Sequence, residues 1–259
     1  MDSSNNNKRM LSFLIKNDFK NKYAGSFFGI FWAFVQPVVI ILLYWFVFQV
    51  AFGSGDVNGT PFVLWLMSGL VPWFFFSESW MSATNSYLEY SYLVKKIVFD
   101  IKLLPFVKSA SSLYVHAFFV SVLIIIFGVS GHFPGIIIIQ LLYYSFSLYC
   151  LVLSLSYFTS TIAVFFKDIT QIVNILMTVG IWVTPIMWDI SKVNGVVATI
   201  LKVNPVYYVV QGYRDTLING IWVVERVPST LVFWCIVLFN SLISYVAYKR
   251  LKPHFSDVL

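Results

Sequence analysis

Between two long apolar runs of the chain lies the charged sequence SYLVKKIVFDIKLLP, residues 91–105. Its apolar residues recur at helical spacing and would form one face of a helix: Leu93, Ile97, Ile101 and Leu104. The charged residues lie on the other sides of that helix: Lys95, Lys96, Asp100 and Lys102. Charges near the centre of a bilayer cost several kcal/mol each, so we expect this helix to lie on the membrane surface. It is either a solvated connector resting on lipid or a docking helix for a soluble partner.

Composition places the rest of the chain in a membrane. Hydrophobic residues make up 59% of the 259 residues and charged residues 11%, whereas soluble domains carry about 25% charged residues. Mean hydropathy is +0.82. These values predict an integral membrane protein, with residues 1–259 forming one all-α transmembrane domain of about six spans.

Apolar runs of the length needed to cross a bilayer, about 20 residues, alternate with polar or charged gaps. The predicted spans are residues 29–52, 62–84, 106–129, 136–165, 169–188 and 229–248. Residues 9–23 precede them as an amphipathic helix with a basic side, a pattern typical of helices that lie in the membrane interface. That helix is either a simple positively charged anchor or part of a substrate site.

Residues 189–228 fit neither a span nor a soluble loop. They contain two apolar segments that are too short to cross a bilayer: residues 196–203 and 205–218. Asn204 and Pro205 indicate a helix cap followed by proline in the first helical turn, and Gly220 indicates the end of that helix. We predict a pair of external re-entrant helices within residues 195–220, since such backbone must be buried in protein or face a water-filled cavity.

The distribution of Lys and Arg predicts the orientation. Thirteen of the seventeen lie in the terminal segments, in the gaps around Lys95 and Lys167, or at the start of the third span. The other four fall within residues 189–228, where acidic residues dilute them. By the positive-inside rule, both termini and the 91–105 helix face the cytoplasm. The net charge of +6 therefore indicates contact with an anionic membrane surface rather than with nucleic acid.

The sequence lacks the common catalytic motifs. It has no GxxxxGKS/T phosphate loop, no HExxH and no paired-cysteine metal motif, so we expect neither an ATPase site nor a metal site in this chain. Glu78 is the one acid inside a predicted span, near its end, and is either solvated there or lines a polar path. An ion-coupled transporter would need ionisable residues at mid-span. We therefore expect the energy for any transport to come from a separate protein.

Seven sequence blocks together resemble a known family. In chain order they are KYAGSFFGIFWAFVQP from Lys22, SGLVPWFFF from Ser68, LVKKIVFDIKLLP from Leu93, FFKDI from Phe165, WVTPIMW from Trp182, NPVYYVVQGYRDTL from Asn204 and LKPHFSDVL from Leu251. Their order and spacing resemble the permease subunits of polysaccharide-exporting ABC transporters, in the type-two exporter family, over nearly the whole chain. The closing block is most similar to O-antigen exporters. Asp100 departs from the pattern, since proline is common there, so the surface helix is expected to run longer here.

The resemblance implies a homodimer of permease subunits with a channel between them, and two copies of a cytoplasmic ATP-binding subunit. ATP and Mg²⁺ would bind to that partner, and this chain would hold no cofactor and catalyse no reaction. The implied substrate is a polysaccharide linked to polyprenyl diphosphate, moved from the cytoplasm to the outer face of the bacterial inner membrane. Membrane lipids are the other expected contacts.

Four groups of residues carry the expected roles. Coupling to the ATPase is expected at Glu89, Leu93, Lys95, Lys96, Ile97, Asp100 and Lys102. Aromatic side chains offer apolar faces to sugar rings. Those expected along the channel are Trp32, Trp45, Phe48, Trp73, Phe76, Trp80 and Trp182. Alternatively, these residues form an aromatic belt at the membrane interface or simply face lipid. The lipid diphosphate is expected to meet Lys16, Lys20 and Lys22 at the cytoplasmic entrance. An external gate is expected at Asn204, Pro205, Tyr207, Tyr208 and Arg214, the alternative for Arg214 being a surface ion pair with Asp215.

Other functions stay open. Within the same family, a wall teichoic acid or capsule exporter would share the architecture and differ in the polymer. From another class, an ion-coupled flippase of lipid-linked glycans would work without an ATPase. A membrane enzyme acting on polyprenyl lipids would need acidic or histidine residues clustered on one inner face, and the sequence shows no such cluster.

Overall fold

The computed structural model describes residues 2–25, 27–57, 59–91 and 100–258 of the chain. Every regular element in those ranges is a helix, which confirms the all-helical prediction. Residues 92–99 of the predicted coupling helix lie outside the described residues, and they include four of the residues expected to contact the ATPase: Leu93, Lys95, Lys96 and Ile97.

The helices are numbered in chain order. They are α1 (Asp2–Lys22), α2 (Trp32–Trp45), α3 (Phe62–Thr84), α4 (Ser86–Glu89), α5 (Leu103–Val129), α6 (Gln140–Phe165), α7 (Ile169–Val183), α8 (Gly195–Val203), α9 (Pro205–Arg214), α10 (Val227–Leu251) and α11 (Phe255–Val258). Short 3₁₀ segments lead into α2, α6 and α10: Gly29–Phe31, Gly135–Ile139 and Val223–Arg226. Wider π-helical turns continue α2 and α9: Phe46–Ala51 and Asp215–Asn219.

Among the described residues, five helical segments are long and apolar enough to cross a membrane: Gly29–Ala51, Phe62–Thr84, Leu103–Val129, Gly135–Phe165 and Val223–His254. The predicted span at residues 169–188 differs, because its helix α7 ends at Val183 and has 15 residues. That is about 22 Å, against about 30 Å of bilayer hydrocarbon. The helix ends there because Thr184, with ψ of 126°, precedes Pro185, and a residue before proline is disfavoured in the helical conformation.

Helix α3 lies at the centre of the bundle. Its buried side chains occur on every side of the helix, with α5, α6, α7 and α9 packed around it. Gly69 lets α9 approach closely, since a Cβ there would lie 3.0 Å from Arg214 Nη2 and 3.2 Å from Ile186 Cγ2. In contrast, α2 and α10 leave most of their apolar side chains exposed or half-buried in this chain. Their outer faces are therefore suited to contact with lipid or with another chain.

The bundle has two ends. At the α1 end, α1 and α4 meet the start of α5. At the α9 end, α9 packs on α6, and the Gln140 side chain at the start of α6 donates to the Ile221 carbonyl at 3.1 Å. Asn204 caps α9 as its sequence predicts, since its side chain accepts the Val206 N–H at 2.9 Å. Gly220 follows the π-helical turn in the left-handed conformation, with φ of +67°, which only glycine adopts without strain.

Helix α1 begins at Asp2, ahead of the boundary predicted at residue 9, and ends at Lys22. It packs on α5 through Phe19, whose ring centre lies 5.1 Å from that of Tyr114. A position for α1 in the membrane interface stays a prediction, and so does membrane re-entry by α8 and α9.

Candidate functional site

A cavity of about 320 Å³ lies at the α1 end, enclosed by α1, α2, α3 and α5. Its wall combines aromatic and aliphatic side chains with several polar and two charged side chains. Its polar and aromatic lining residues include Phe19, Lys22, Tyr23, Trp32, Gln36, Phe75, Glu78, Ser112 and His116. We call it the α1 cavity.

Lys22 and Glu78 form an ion pair at the α1 cavity. Their side chains are 23% and 53% exposed, and an ion pair this open to solvent contributes at most about 1 kcal/mol to stability. Glu78 thus both reaches solvent and lines the cavity. Burial and, second, the charge of Glu78 raise the pKa of Tyr23 to about 12, so its phenol stays protonated and available as a hydrogen-bond donor beside the pair.

The inner wall of the α1 cavity is formed in part by His116, which is buried. Its Nε2 lies 3.2 Å from the Ser145 hydroxyl and 3.1 Å from the Tyr213 hydroxyl. Its Nδ1 has no hydrogen-bond partner among the described residues. His116 therefore ties α5 to α6 and α9 through one ring nitrogen and leaves the other unsatisfied.

A second charged site, the Lys108 cluster, consists of Asp18, Glu89 and Lys108. The Lys108 ammonium lies 2.9 Å from an Asp18 oxygen and also bonds to Glu89. Asp18 further accepts hydrogen bonds from Tyr90 at 2.7 Å and Ser111 at 2.6 Å. Asp18 is 2% exposed and Lys108 7% exposed. The cluster joins α1, the end of α4 and the first turns of α5.

The described residues expected to couple to an ATPase lie next to this cluster. Glu89 is the last residue of α4 and bonds to Lys108. Asp100 and Lys102 form an exposed ion pair of 2.8 Å at the start of α5. Between them, Ile101 is buried in a small apolar cluster that includes Tyr87, Leu104, Val164 and Phe255. Both flanks of residues 92–99 are therefore anchored to packed helices, one of them through the C-terminal helix α11.

The three lysines expected at the entrance lie in different surroundings. Lys22 lines the α1 cavity and pairs with Glu78. Lys16 and Lys20 are exposed on α1, do not line the cavity, and form no ion pair within the described part of the chain. Of the three, Lys22 is thus the one that a ligand in the α1 cavity would touch.

The aromatic residues expected along a channel fall into two sets. Trp73, Phe76 and Trp80 are buried inside this chain, and Trp80 donates to the Thr159 hydroxyl at 3.2 Å. Contact of these three with a polymer would require the surrounding helices to separate. The others are exposed or half-buried: Trp32, Trp45, Phe48 and Trp182. These four are open to contact outside the chain.

The residues expected at an external gate meet on α9. Tyr207 and Tyr208 are buried, and the Tyr208 hydroxyl lies 2.9 Å from the Thr230 hydroxyl of α10. Arg214 is 4% exposed. The surface pair considered for Arg214 and Asp215 is wrong, because Asp215 pairs instead with Arg226 at 3.0 Å. Adjacent residues of a helix point about 100° apart, so these two face different neighbours.

Sequence reasoning missed the buried half of the Lys108 cluster. Asp18 lies among the apolar residues Leu11, Leu14 and Ile15 on the inward side of α1, and Lys108 lies one turn inside an apolar run. Buried charges are rarely tolerated without a partner. An acid in the apolar stripe of one helix, together with a base in the apolar run of another, was therefore the available signal.

Five long apolar helical segments, with the buried helix α3 at their centre, define a multi-pass membrane protein. The chain belongs to the ABC-2 type transporter family, which matches residues 10–218. The family expected from the seven sequence blocks is thereby confirmed.

Two relatives from different bacteria show how far the similarity extends. The chain is 24% identical over 256 residues to a Klebsiella pneumoniae protein named O-antigen export system permease protein RfbA, covering 96% of this chain and 95% of that protein. It is 26% identical over 215 residues to the protein of the same name from Myxococcus xanthus, covering 79% and 78%. The similarity thus extends over almost the whole of this chain.

Proposed function

We propose that this chain is the channel-forming permease subunit of an ABC transporter that exports a polysaccharide linked to polyprenyl diphosphate, of the O-antigen type. Similarity to proteins named as O-antigen export permeases over 96% of the chain carries the proposal. A separate cytoplasmic subunit would bind ATP and Mg²⁺ and hydrolyse the nucleotide, since this sequence has no phosphate loop.

The proposed topology has six crossings in the bacterial inner membrane, with both termini in the cytoplasm. Helix α7 together with residues 184–188 would make the fifth crossing, completed by a non-helical turn that is buried in the protein. The basic residues of both chain ends and of residues 91–105 favour a cytoplasmic α1 end by the positive-inside rule. The α9 end then faces outward.

A homodimer would supply the channel. The exposed apolar side chains of α2 and α7 must contact either lipid or another protein surface. In a dimer, the second copy of the chain would supply that surface. Exposed Trp32 and Trp182, with half-buried Trp45 and Phe48, would offer aromatic faces to sugar rings.

The coupling route runs through residues 91–105 and the Lys108 cluster. Movement of Lys95 or Lys96 by a docked ATPase would reach α4 through Glu89 and the start of α5 through Ile101. Lys108 then passes the movement to α1 through Asp18. Because α1 and α5 both enclose the α1 cavity, this movement would change the size of its mouth.

The α1 cavity would be the entrance for the carrier lipid. Lys22 would bind a diphosphate oxygen by exchanging Glu78 for the ligand, as charge-assisted hydrogen bonds to phosphate allow. Lys16 and Lys20 on the exposed side of α1 would attract the anionic headgroup toward that mouth. The gate residues Tyr207 and Tyr208 lie at the opposite end, where the polymer would leave.

Export in a strain that lacks the chromosomal copy of this chain tests the proposal. A plasmid copy should restore long-chain surface polysaccharide, seen as a ladder on an immunoblot, and should co-purify with an ATPase. A variant of that ATPase that binds ATP without hydrolysing it should abolish the ladder. Export that persists without any ATPase would contradict the proposal and favour the ion-coupled flippase. The composition of the released polymer distinguishes O-antigen from teichoic acid or capsule.

A further inference from the structure

A polar cavity of about 250 Å³ lies at the α9 end, far from the α1 cavity. A smaller cavity of about 130 Å³ adjoins it, and the two share four lining residues: Lys202, Tyr207, Gln211 and Arg226. Together these two cavities form the α9 cavity. Its wall includes parts of α3, α8 and α9, so it is built from elements that are distant in the sequence.

Arg214 is the buried cation of the α9 cavity. Its guanidinium donates to the carbonyls of Pro185 and Ile186, each at 2.7 Å, and its Cζ lies 3.7 Å from the centre of the Trp65 ring. These neighbours fix the plane of the group, yet none of them carries a negative charge. Arg214 forms no ion pair with any described residue.

Arg214 also has unused hydrogen-bonding capacity. Its Nε lies in the protein interior and has no hydrogen-bond partner among the described residues. A guanidinium has five N–H donors, and the two carbonyl bonds use only part of them. A buried N–H without an acceptor and a buried positive charge without a counter-charge both destabilise the fold. A bound anion would supply the acceptor and the counter-charge.

The charged residues that line the α9 cavity, Arg214 included, have an excess of one positive charge. Lys202 is exposed at the rim and forms no ion pair in the described ranges. Arg226 is occupied by Asp215, which also accepts from Gln211 at 2.9 Å. Asp189 is the other acid of the lining and accepts the Ser191 N–H at 2.9 Å. Three cations therefore stand against two acids, one of which is already paired.

We propose that the α9 cavity binds an oxyanion, either a phosphate or a carboxylate, between Arg214 and Lys202. Arginine suits this role because its planar fork matches phosphate oxygens, and a lysine ammonium adds a mobile charge at the rim. Asp189 and Gln211 are placed to accept and donate hydrogen bonds to a neutral group attached to the anion, such as a sugar hydroxyl. The cavity has the volume for a diphosphate or one charged sugar unit.

The source of the anion rests on the proposed function. It is either the diphosphate of the polyprenyl carrier after crossing or an acidic group carried by the polymer. In both cases an oxyanion held at the α9 end would keep the exported molecule from returning through the channel. Binding itself does not depend on export, so the two proposals can fail separately.

The test measures binding of inorganic pyrophosphate to the purified full chain in nanodiscs of neutral phosphatidylcholine, by isothermal titration calorimetry. Wild type should bind with saturation, and Lys202→Gln should weaken binding roughly tenfold, as loss of one charge-assisted contact does. Lys249→Gln, which removes an exposed lysine at the other end of the bundle, should leave the affinity unchanged. Because Lys202 is exposed and unpaired, its substitution leaves the fold intact even if Arg214→Gln does not accumulate.

Two further titrations identify the source of the anion. Saturable binding of pyrophosphate but not of glucuronate supports the carrier diphosphate, and the reverse supports a carboxylate of the polymer. Absence of saturable binding for both ligands overturns the proposal. Equal weakening by Lys202→Gln and Lys249→Gln also overturns it, because it would indicate general attraction to a positive surface.

Discussion

The Lys108 ammonium lies 2.9 Å from Asp18 and links the third apolar span to the N-terminal helix. Both side chains are buried, and both arise from stretches whose neighbours are apolar. Asp18 depends on this pair, since without Lys108 it would be an uncompensated buried charge, whereas Lys108 also pairs with Glu89. The link therefore fixes α1 against the bundle, next to Glu89 at the end of α4.

Lys108→Met should cost more stability than Asp18→Asn. Loss of Lys108 leaves Asp18 buried without a counter-charge, for about 3–5 kcal/mol. Asp18→Asn leaves Lys108 paired with Glu89, whose side chain is 50% exposed, so the loss should be smaller. Thermal unfolding of the purified variants in detergent measures both. Lys16→Met, on the exposed side of the same helix, serves as the control, and equal midpoints for Lys108→Met and this control would contradict the role of the pair.

Gly212→Ala should destabilise the packing of α9 on α6. A Cβ at Gly212 would lie 2.2 Å from Cε1 of Tyr144, a buried ring that contacts Tyr208 at 5.6 Å between centres. Overpacking of this kind costs about 1–3 kcal/mol or more. Gly55→Ala is the matched control, since a Cβ there meets nothing within 4 Å. Fluorescence-detected size exclusion after heating should show early loss of the monodisperse peak for Gly212→Ala alone, and identical curves would refute the close contact.

Local patterns predicted some elements and missed others for identifiable reasons. An apolar run with flanking polar residues was sufficient to place α3 at Phe62–Thr84, and Asn204 with Pro205 was sufficient to place the start of α9. The end of the predicted fifth span, at residue 188, was set from hydropathy alone. The helix stops at Val183 because Pro185 acts on backbone conformation, which hydropathy does not measure.

Long-range partners account for most of what the sequence did not reveal about the sites. Arg214 and Asp215 are adjacent in the chain, yet one contacts Pro185, Ile186 and Trp65 and the other contacts Arg226. Only the packing of α9 against α3 and the residues after α7 determines these contacts. The aromatic stripe of α3 was visible from its spacing, but helical spacing does not indicate whether a face meets a channel or the core.

Lys22→Gln should reduce export more than Lys16→Gln or Lys20→Gln, because only Lys22 lines the α1 cavity. Its stability should change by less than about 1 kcal/mol, since the Lys22–Glu78 pair is open to solvent. The double variant Lys22→Glu with Glu78→Lys restores the ion pair with its ends exchanged. Export that returns in this double variant would assign the pair a structural role and remove Lys22 as a specific diphosphate ligand. Surface polysaccharide at matched protein levels is the measurement.

Reversing the charge of Lys95 and Lys96 should prevent the ATPase from docking and so abolish export. Lys95→Glu with Lys96→Glu is expected to abolish surface polysaccharide and the co-purification of an ATPase, because an anionic patch would replace the cationic docking surface. Lys249→Glu is the control, since it reverses an exposed charge on α10 that has no expected part in docking. The folded state should survive in both variants, which size exclusion in detergent verifies. Full export and normal co-purification in the double variant would mean that the motor docks elsewhere, and the coupling route through Glu89 and Lys108 would then lose its starting point.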